Sequence, residues 1–198
     1  GLDVTYSDLE NAGQVLLVAL EPEDECGAMF LRLRKGTRKS GLKVATVAPF
    51  TSNGSRKMNA RLLHAAPGAE PGVVDTIKAG GAYADVAEAL SGGIILVGER
   101  AAQTPGLLSS VVALAERTGA RLAWVPRRSG DRAAIEAGLL PGLLPFGRGI
   151  DEAGAQSLGW GELPERGLDA KQMIEAAASG ELKALVVGGV DVRDFDEP

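Results

Sequence analysis

The side chains best equipped for chemistry are a carboxylate run at Glu21, Glu23, Asp24 and Glu25, two cations at Arg127 and Arg128, one thiol at Cys26 and one imidazole at His64. The carboxylates follow an apolar run, Val15 to Leu20, and so fall on a loop and a first helical turn. That placement suits a hard-cation or ligand-hydroxyl site or, more commonly, favourable charge at a helix N-terminus. Arg127 and Arg128 come directly after Val125-Pro126, at the carboxyl end of another strand signal, where two cations can hold phosphate or a partner's carboxylate. Cys26 sits beside acidic neighbours that oppose thiolate formation, which suits an inert thiol. A single cysteine excludes an internal disulfide, a thiolate-only zinc site and an iron–sulfur cluster held by this chain alone. One histidine argues against hydrolytic triads and histidine-rich metal sites. Neither GxGxxG nor GxxxxGK[ST] occurs, so standard nicotinamide and P-loop sites are set aside. The residues thus offer binding geometry without catalytic groups, and we expect no catalytic residue and no metal site.

The elements that must position these groups are legible in the apolar pattern. Val15 to Leu20 reads as a strand buried on both faces, Ala28 to Lys35 as a helix ending near Gly36 or Gly41, and Leu42 to Ala48 as a second strand closed by Pro49. This is a βαβ unit with parallel strands and a right-handed crossover. Arg61 to Ala65 can add a short third strand, and Val74 to Leu90 reads as helix in two pieces broken at Gly80-Gly81. The pattern restarts with a strand at Ile94 to Gly98, a helix from Gly106 to Thr118 stopped by Gly119, and a strand at Ala120 to Val125. Residues 126 to 168 are rich in glycine and proline with little periodicity. Asp169 can cap a helix from Ala170 to Ala178 ended by Gly180, and Lys183 to Val187 reads as a last strand before Gly188-Gly189. The expected fold is α/β, with two Rossmann-like three-layer lobes of mostly parallel strands at residues 1–90 and 91–198. In such sheets ligands bind beyond the carboxyl ends of strands, which singles out the junctions after Leu20 and after Val187.

Composition narrows the function classes. With 27 glycines but four phenylalanines, two tyrosines and two tryptophans, the core must be aliphatic. The formal charge of −5 and the absence of aromatics interleaved with cations argue against nucleic acid. The basic group Arg32, Arg34, Lys35, Arg38 and Lys39 suits a solvated helix face or, less commonly, a docking surface; Trp160 suits a core anchor or an interface. No apolar run approaches the roughly 20 residues that span a bilayer. Gly1 is not an initiator methionine and nothing near it resembles a signal peptide, so the chain is expected to be an internal or C-terminal piece of something longer, although a processed tag remnant also accounts for the glycine alone; such a piece is expected to be cytoplasmic and, having lost its partners, monomeric in isolation.

The order of the strand-end motifs resembles the molybdopterin oxidoreductase superfamily. There one strand ends in a Gly-x-Asn-Pro type motif, another in Asp-Pro-Arg followed by Thr, and a later turn reads Pro-Gly-Thr-Asp. The matching places here hold Leu20-Glu21-Pro22, Ala48-Pro49-Phe50-Thr51 and Pro67-Gly68-Ala69-Glu70. Val97-Gly98-Glu99-Arg100 sits where the superfamily has a strand ending in Gly-Ser-Arg. Ala115 to Ala120 matches a helix ending in Thr-Gly, and Val187 to Asp191 matches a second Asn-Pro position. Within the superfamily the chain is most similar to the large-subunit family of bacterial respiratory complex I, the NADH-quinone oxidoreductase, especially its actinobacterial form. The phrases Ala19 to Glu25, Leu31 to Lys35, Leu122 to Arg128 and Leu185 to Asp191 carry that likeness.

In cofactor-carrying relatives these positions help hold a pterin dinucleotide. The resemblance therefore marks Glu21, Pro49, Phe50, Gly68, Glu70, Gly98, Arg100, Arg127, Arg128, Gly189 and Asp191 as a vestigial site. Glu21 stands for asparagine, Phe50 for arginine and Ala69-Glu70 for Thr-Asp. Losing an arginine that makes several charge-assisted bonds removes much of the affinity. The resemblance implies a structural, cofactor-degenerate domain that supports electron transfer from NADH to quinone, with no cofactor of its own and iron–sulfur clusters upstream. It also implies hydrophilic-arm subunits as partners and a position peripheral to the cell membrane. A fragment of an active molybdopterin enzyme, of formate dehydrogenase or nitrate reductase type, and a stand-alone nucleotide-binding module are the alternative readings.

Overall fold

The computed structural model describes residues 4–193 apart from Arg127, Ser129, Pro141, Pro164, Arg166, Val190 and Val192. Five strands, β1 (Gln14–Val18), β2 (Lys43–Ala48), β3 (Arg61–His64), β4 (Ile94–Gly98) and β5 (Arg121–Val125), form one sheet in the order β3-β2-β1-β4-β5. Every pairing is parallel, with Leu16 opposite Ala45 on one side and Ile95 on the other. The α/β class and its Rossmann-like layering hold. The division near residue 91 does not: β4 hydrogen-bonds to β1, so the second apolar pattern continues the first sheet rather than starting another. The two compact units are instead Gly1–Ala133 and Ala134–Pro198.

Alternation along the central strands builds the layers. Val15 and Leu17 point to one face, where they meet Leu9 and Phe30 and Leu33 from helices α1 (Tyr6–Asn11) and α3 (Gly27–Lys39), with Met58 from the segment between β2 and β3. Leu16 and Val18 point to the other, against Val74, Val86, Leu107, Val111 and Leu114. Those residues come from α5 (Glu70–Asp75), α6 (Ala84–Ala89) and α7 (Leu107–Thr118). β1 and β4 are buried along their whole length, hence their unbroken apolar sequences, while the edge strands β3 and β5 carry exposed positions. Arg117 ties α7 to α5 by donating to the carbonyls of Val74 (2.8 Å) and Ile77 (3.1 Å).

The helix after β1 does not stop at Gly36. It runs to Lys39, because Gly36 is the contact point with α1: a Cβ there would lie 2.9 Å from the Glu10 carbonyl oxygen and from a Leu42 methyl. Two members of the basic group on α3 are paired across this contact, since Arg32 and Lys35 each meet one oxygen of Glu10 at 2.6 Å. Lys35 and then Arg32 hold the Glu10 carboxyl below its ordinary range. The folded chain therefore releases this proton more readily than the unfolded one. The stabilisation is complete above about pH 4.3 and disappears as pH falls through the folded value. Glu10→Gln is expected to leave a shallower loss of stability on acidification in urea titrations run between about pH 6 and pH 3; an unchanged slope would contradict the assignment.

Helix α8 (Asp131–Glu136) carries the boundary between the units, and the Ala134–Pro198 unit has β6 (Leu143–Leu144) antiparallel to β7 (Arg148–Gly149) and the helices α9 (Glu152–Ser157) and α10 (Ala170–Ala178). Asp169 caps α10 in a reciprocal box with Gln172. Lys183 to Val187, expected as a strand, forms no strand. No helix of the described residues is long and apolar enough to cross a membrane.

Candidate functional site

Because the sheet is parallel, the carboxyl ends of β1, β2, β3 and β4 all open on one side, and the chain leaves the neighbouring strands β1 and β4 in opposite senses, from β1 toward β2 and from β4 toward β5. A crevice of about 470 Å³ lies there, at the topological switch point. Each wall follows from a strand end. After β1, Ala19 turns left-handed (φ 51°), and Glu21 becomes the N-cap of the short helix α2 (Pro22–Glu25), accepting from the Glu23 amide at 3.4 Å. After β2, Pro49, Phe50 and Thr51 lead to Ser52, which caps α4 (Asn53–Lys57) by accepting from the Ser55 amide at 2.9 Å. Beyond β3, the Ala65 amide donates to the Ala48 carbonyl at 3.0 Å, and the Pro67-Gly68 turn delivers Glu70 as the first residue of α5. β4 ends at Gly98 and runs into a 3₁₀ turn, Glu99–Gln103, that carries Arg100.

Glu21, Pro49, Phe50, Gly68, Glu70 and Arg100 accordingly line one crevice. Gly98 lies beneath them at the point where β4 touches the Ala19 turn: a Cβ at Gly98 would collide with the Ala19 carbonyl oxygen and sit 3.1 Å from the Leu20 Cα. Arg128 lies in an exposed bend after β5 and does not line the crevice, which corrects its inclusion. Arg127 lies outside the described residues. Gly189 and Asp191 belong to the Ala134–Pro198 unit, where Asp191 is bidentate with Arg193 at 2.6 and 2.9 Å. Ala19 and Asp24 also line the crevice. A signal for Ala19 was present in the motif, since it occupies the place where Gly-x-Asn-Pro has glycine, and a left-handed residue there explains that glycine.

The charge of the crevice is set by carboxylates. Glu21, Asp24 and Glu70 face it, and Oε2 of Glu70 is buried without a hydrogen-bond donor among the described residues. The cation on its wall, Arg100, donates to Glu25 Oε1 at 2.7 Å; the same oxygen accepts from the Glu21 amide at 2.8 Å. Lys57 is ion-paired with Glu23. The acidic run is thus both helix-terminal charge and a set of ion pairs that tie α2 to α4 and to the turn after β4. Cys26, half-buried behind it, has its thiol pushed up by desolvation and then by the Glu25 charge, in keeping with an inert thiol. Among the described residues no three His, Cys, Asp or Glu side chains converge as a metal site requires. His64 is exposed at the end of β3.

No family model matches the chain. It is 49% identical over 201 residues to the G subunit of NADH-quinone oxidoreductase from Mycobacterium bovis, an alignment covering 98% of the chain and 25% of that relative. The Mycobacterium tuberculosis G subunit matches to the same extent. The Streptomyces coelicolor G subunit is 46% identical over 210 residues, covering 100% of the chain and 25% of the relative. Along nearly all its length the chain is a homologue of one segment of the actinobacterial NADH-quinone oxidoreductase G subunit, and it spans about 25% of the length of those relatives.

Proposed function

We propose that this chain is a structural, cofactor-degenerate domain of a complex I subunit, one that supports electron transfer from NADH to quinone without an active site of its own. The observation that carries this reading is the charge of the crevice. A dinucleotide cofactor brings phosphates, which need backbone amides, arginine forks or lysines around them. This crevice offers Glu21, Asp24, Glu70 and an exposed phenyl ring at Phe50, while Arg100 is engaged by Glu25. Desolvating a phosphate against three carboxylates opposes binding. The strand-end architecture is kept and its ligand chemistry is not, as befits a scaffold.

In this reading the domain's partners are the other hydrophilic-arm subunits of the complex, and it is held peripherally at the cell membrane through that assembly. Any iron–sulfur clusters belong to other parts of the longer polypeptide. Metal and pterin analysis of the native, full-length subunit is expected to find neither molybdenum nor tungsten, and no pterin; stoichiometric amounts of either metal with pterin would instead favour the active molybdopterin enzyme.

A further inference from the structure

The crevice lies beyond the carboxyl ends of the strands; a second hollow, of about 420 Å³, lies at their amino ends, between the last turn of α3, the segment before β3 and helix α6. Leu42 and Met58 give it a buried apolar floor. Its rim carries Arg38, Lys43, Lys57 and Arg61 against one carboxylate, Asp85. Asp85 is ion-paired with Arg61, and Lys57 with Glu23. Arg38 and Lys43 are exposed and meet no carboxylate among the described residues, whereas Arg32 and Lys35 of the same basic stretch are held by Glu10. Gln14 stands opposite Lys43 in the β1–β2 pairing and lines the same hollow at 4% exposure. One hydrogen of its side-chain amide goes to the Val15 carbonyl at 3.2 Å, and the other has no acceptor among the described residues. Buried amides ordinarily use their donors, so this corner of the fold presents an unanswered donor beside two unanswered cations, in a chain whose formal charge is −5.

Chemistry and position narrow what fits there. Stacked bases need rings, and no aromatic side chain lines the hollow. A membrane surface needs exposed apolar side chains that insert, and none of the exposed large apolar residues lies on its rim. Small ligands of open parallel sheets take the other, carboxyl, end of the strands. Carboxylate side chains suit all three unanswered groups, because they accept from the Gln14 amide and from both cations in charge-assisted bonds. We propose that this amino-end hollow docks an acidic segment of the same longer polypeptide, with carboxylates on Arg38, Lys43 and Gln14 and an apolar side chain over Leu42 and Met58. The inference rests on the reading of the chain as a segment of the complex I G subunit. It spans 25% of the length of those relatives, so most of such a polypeptide is available to supply the segment.

Lys43 reports on the contact, in this 198-residue chain and in the full-length subunit purified alone. Acetylation of its amine, followed by mass spectrometry, is expected to be at least about 10-fold slower in the full-length subunit than in the short chain. A carbodiimide, which joins an amine to a carboxylate in direct contact, should couple Lys43 in the full-length subunit to an Asp or Glu outside the 198 residues. Equal acetylation in both would overturn the proposal. So would protection without a coupled carboxylate, which makes the cover something other than an acidic segment. Coupling confined to the assembled complex would make the partner another subunit, and coupling between copies of the short chain would make it a second copy; either overturns it. Arg38→Gln adds a check: it should speed Lys43 acetylation in the full-length subunit several-fold and leave the melting of the short chain unchanged, and an unchanged rate would contradict the contact. Metal and pterin content reads out on the crevice and Lys43 labelling on this hollow, so failure of the scaffold reading is distinguishable from failure of this one.

Discussion

Gly98→Ala is expected to lower stability by about 3 kcal/mol, which for a chain of this length is roughly 6–12 °C in melting temperature. Gly98 closes β4 directly beneath the Ala19 turn, and the added methyl would meet three backbone atoms of the Ala19–Leu20 peptide link: the Ala19 carbonyl oxygen, its carbon at 3.0 Å and the Leu20 Cα at 3.1 Å. Backbone in the middle of a parallel sheet cannot rotate aside as a side chain can, so β1 and β4 would have to part where the crevice begins. Gly13→Ala is the control, since nothing lies within 4 Å of a Cβ there and its φ is not positive; it should change stability by less than about 0.5 kcal/mol. Equal melting temperatures for the two variants in calorimetry would show that β1 and β4 do not meet as closely as described.

Leu16→Ala should cost about as much by the opposite route. Leu16 is fully buried at the centre of β1 and packs into the layer with α5 and α7. Removing its isopropyl end leaves a cavity between a sheet and helices held on several sides, and such truncations cost about 2–5 kcal/mol. The matched control is Leu108→Ala, on the exposed side of α7, expected to stay within about 0.5 kcal/mol of the parent. Urea unfolding gives both numbers. A loss below about 1 kcal/mol for Leu16→Ala would place the core elsewhere, since buried truncations in a close-packed layer do not come so cheaply.

The elements are readable wherever burial on both faces writes itself as an unbroken apolar run, as in Val15 to Leu20 and Ile94 to Gly98, and wherever a cap is local, as at Asp169. Neighbourhood is not readable. Nothing in the residues of β4 says that it pairs with β1, so a restart in the pattern looks like a second lobe. The choice between Gly36 and Gly41 as the helix end stays open in the sequence for a related reason: glycine marks a helix end when its backbone freedom is used, as at Gly41 (φ 74°), and a helix contact when its missing Cβ is used, as at Gly36, and only the position of α1 distinguishes them. Lys183 to Val187 has the composition of a buried strand with no sheet around it among the described residues.

The site follows the same rule. Residues at the ends of paired strands, such as Glu21, Phe50, Glu70 and Arg100, converge because parallel pairing forces their loops to one side. Arg128 lies on the edge beyond that convergence, and Asp191 belongs to the other compact unit. Sequence can name strand ends; it cannot say which ends share a crevice. Nor does it reveal that Arg100, the cation best placed to face a phosphate, is already engaged by Glu25 from the turn after β1.

Calorimetric titration of the purified chain with GDP, which represents the nucleotide half of a pterin dinucleotide, tests the scaffold reading most directly. A degenerate crevice gives no saturable heat and no thermal stabilisation, with the parent chain and a variant carrying Arg100→Ala, the cation on the crevice wall, behaving alike. Saturable micromolar binding that vanishes in the variant would contradict it and make the crevice a working nucleotide site.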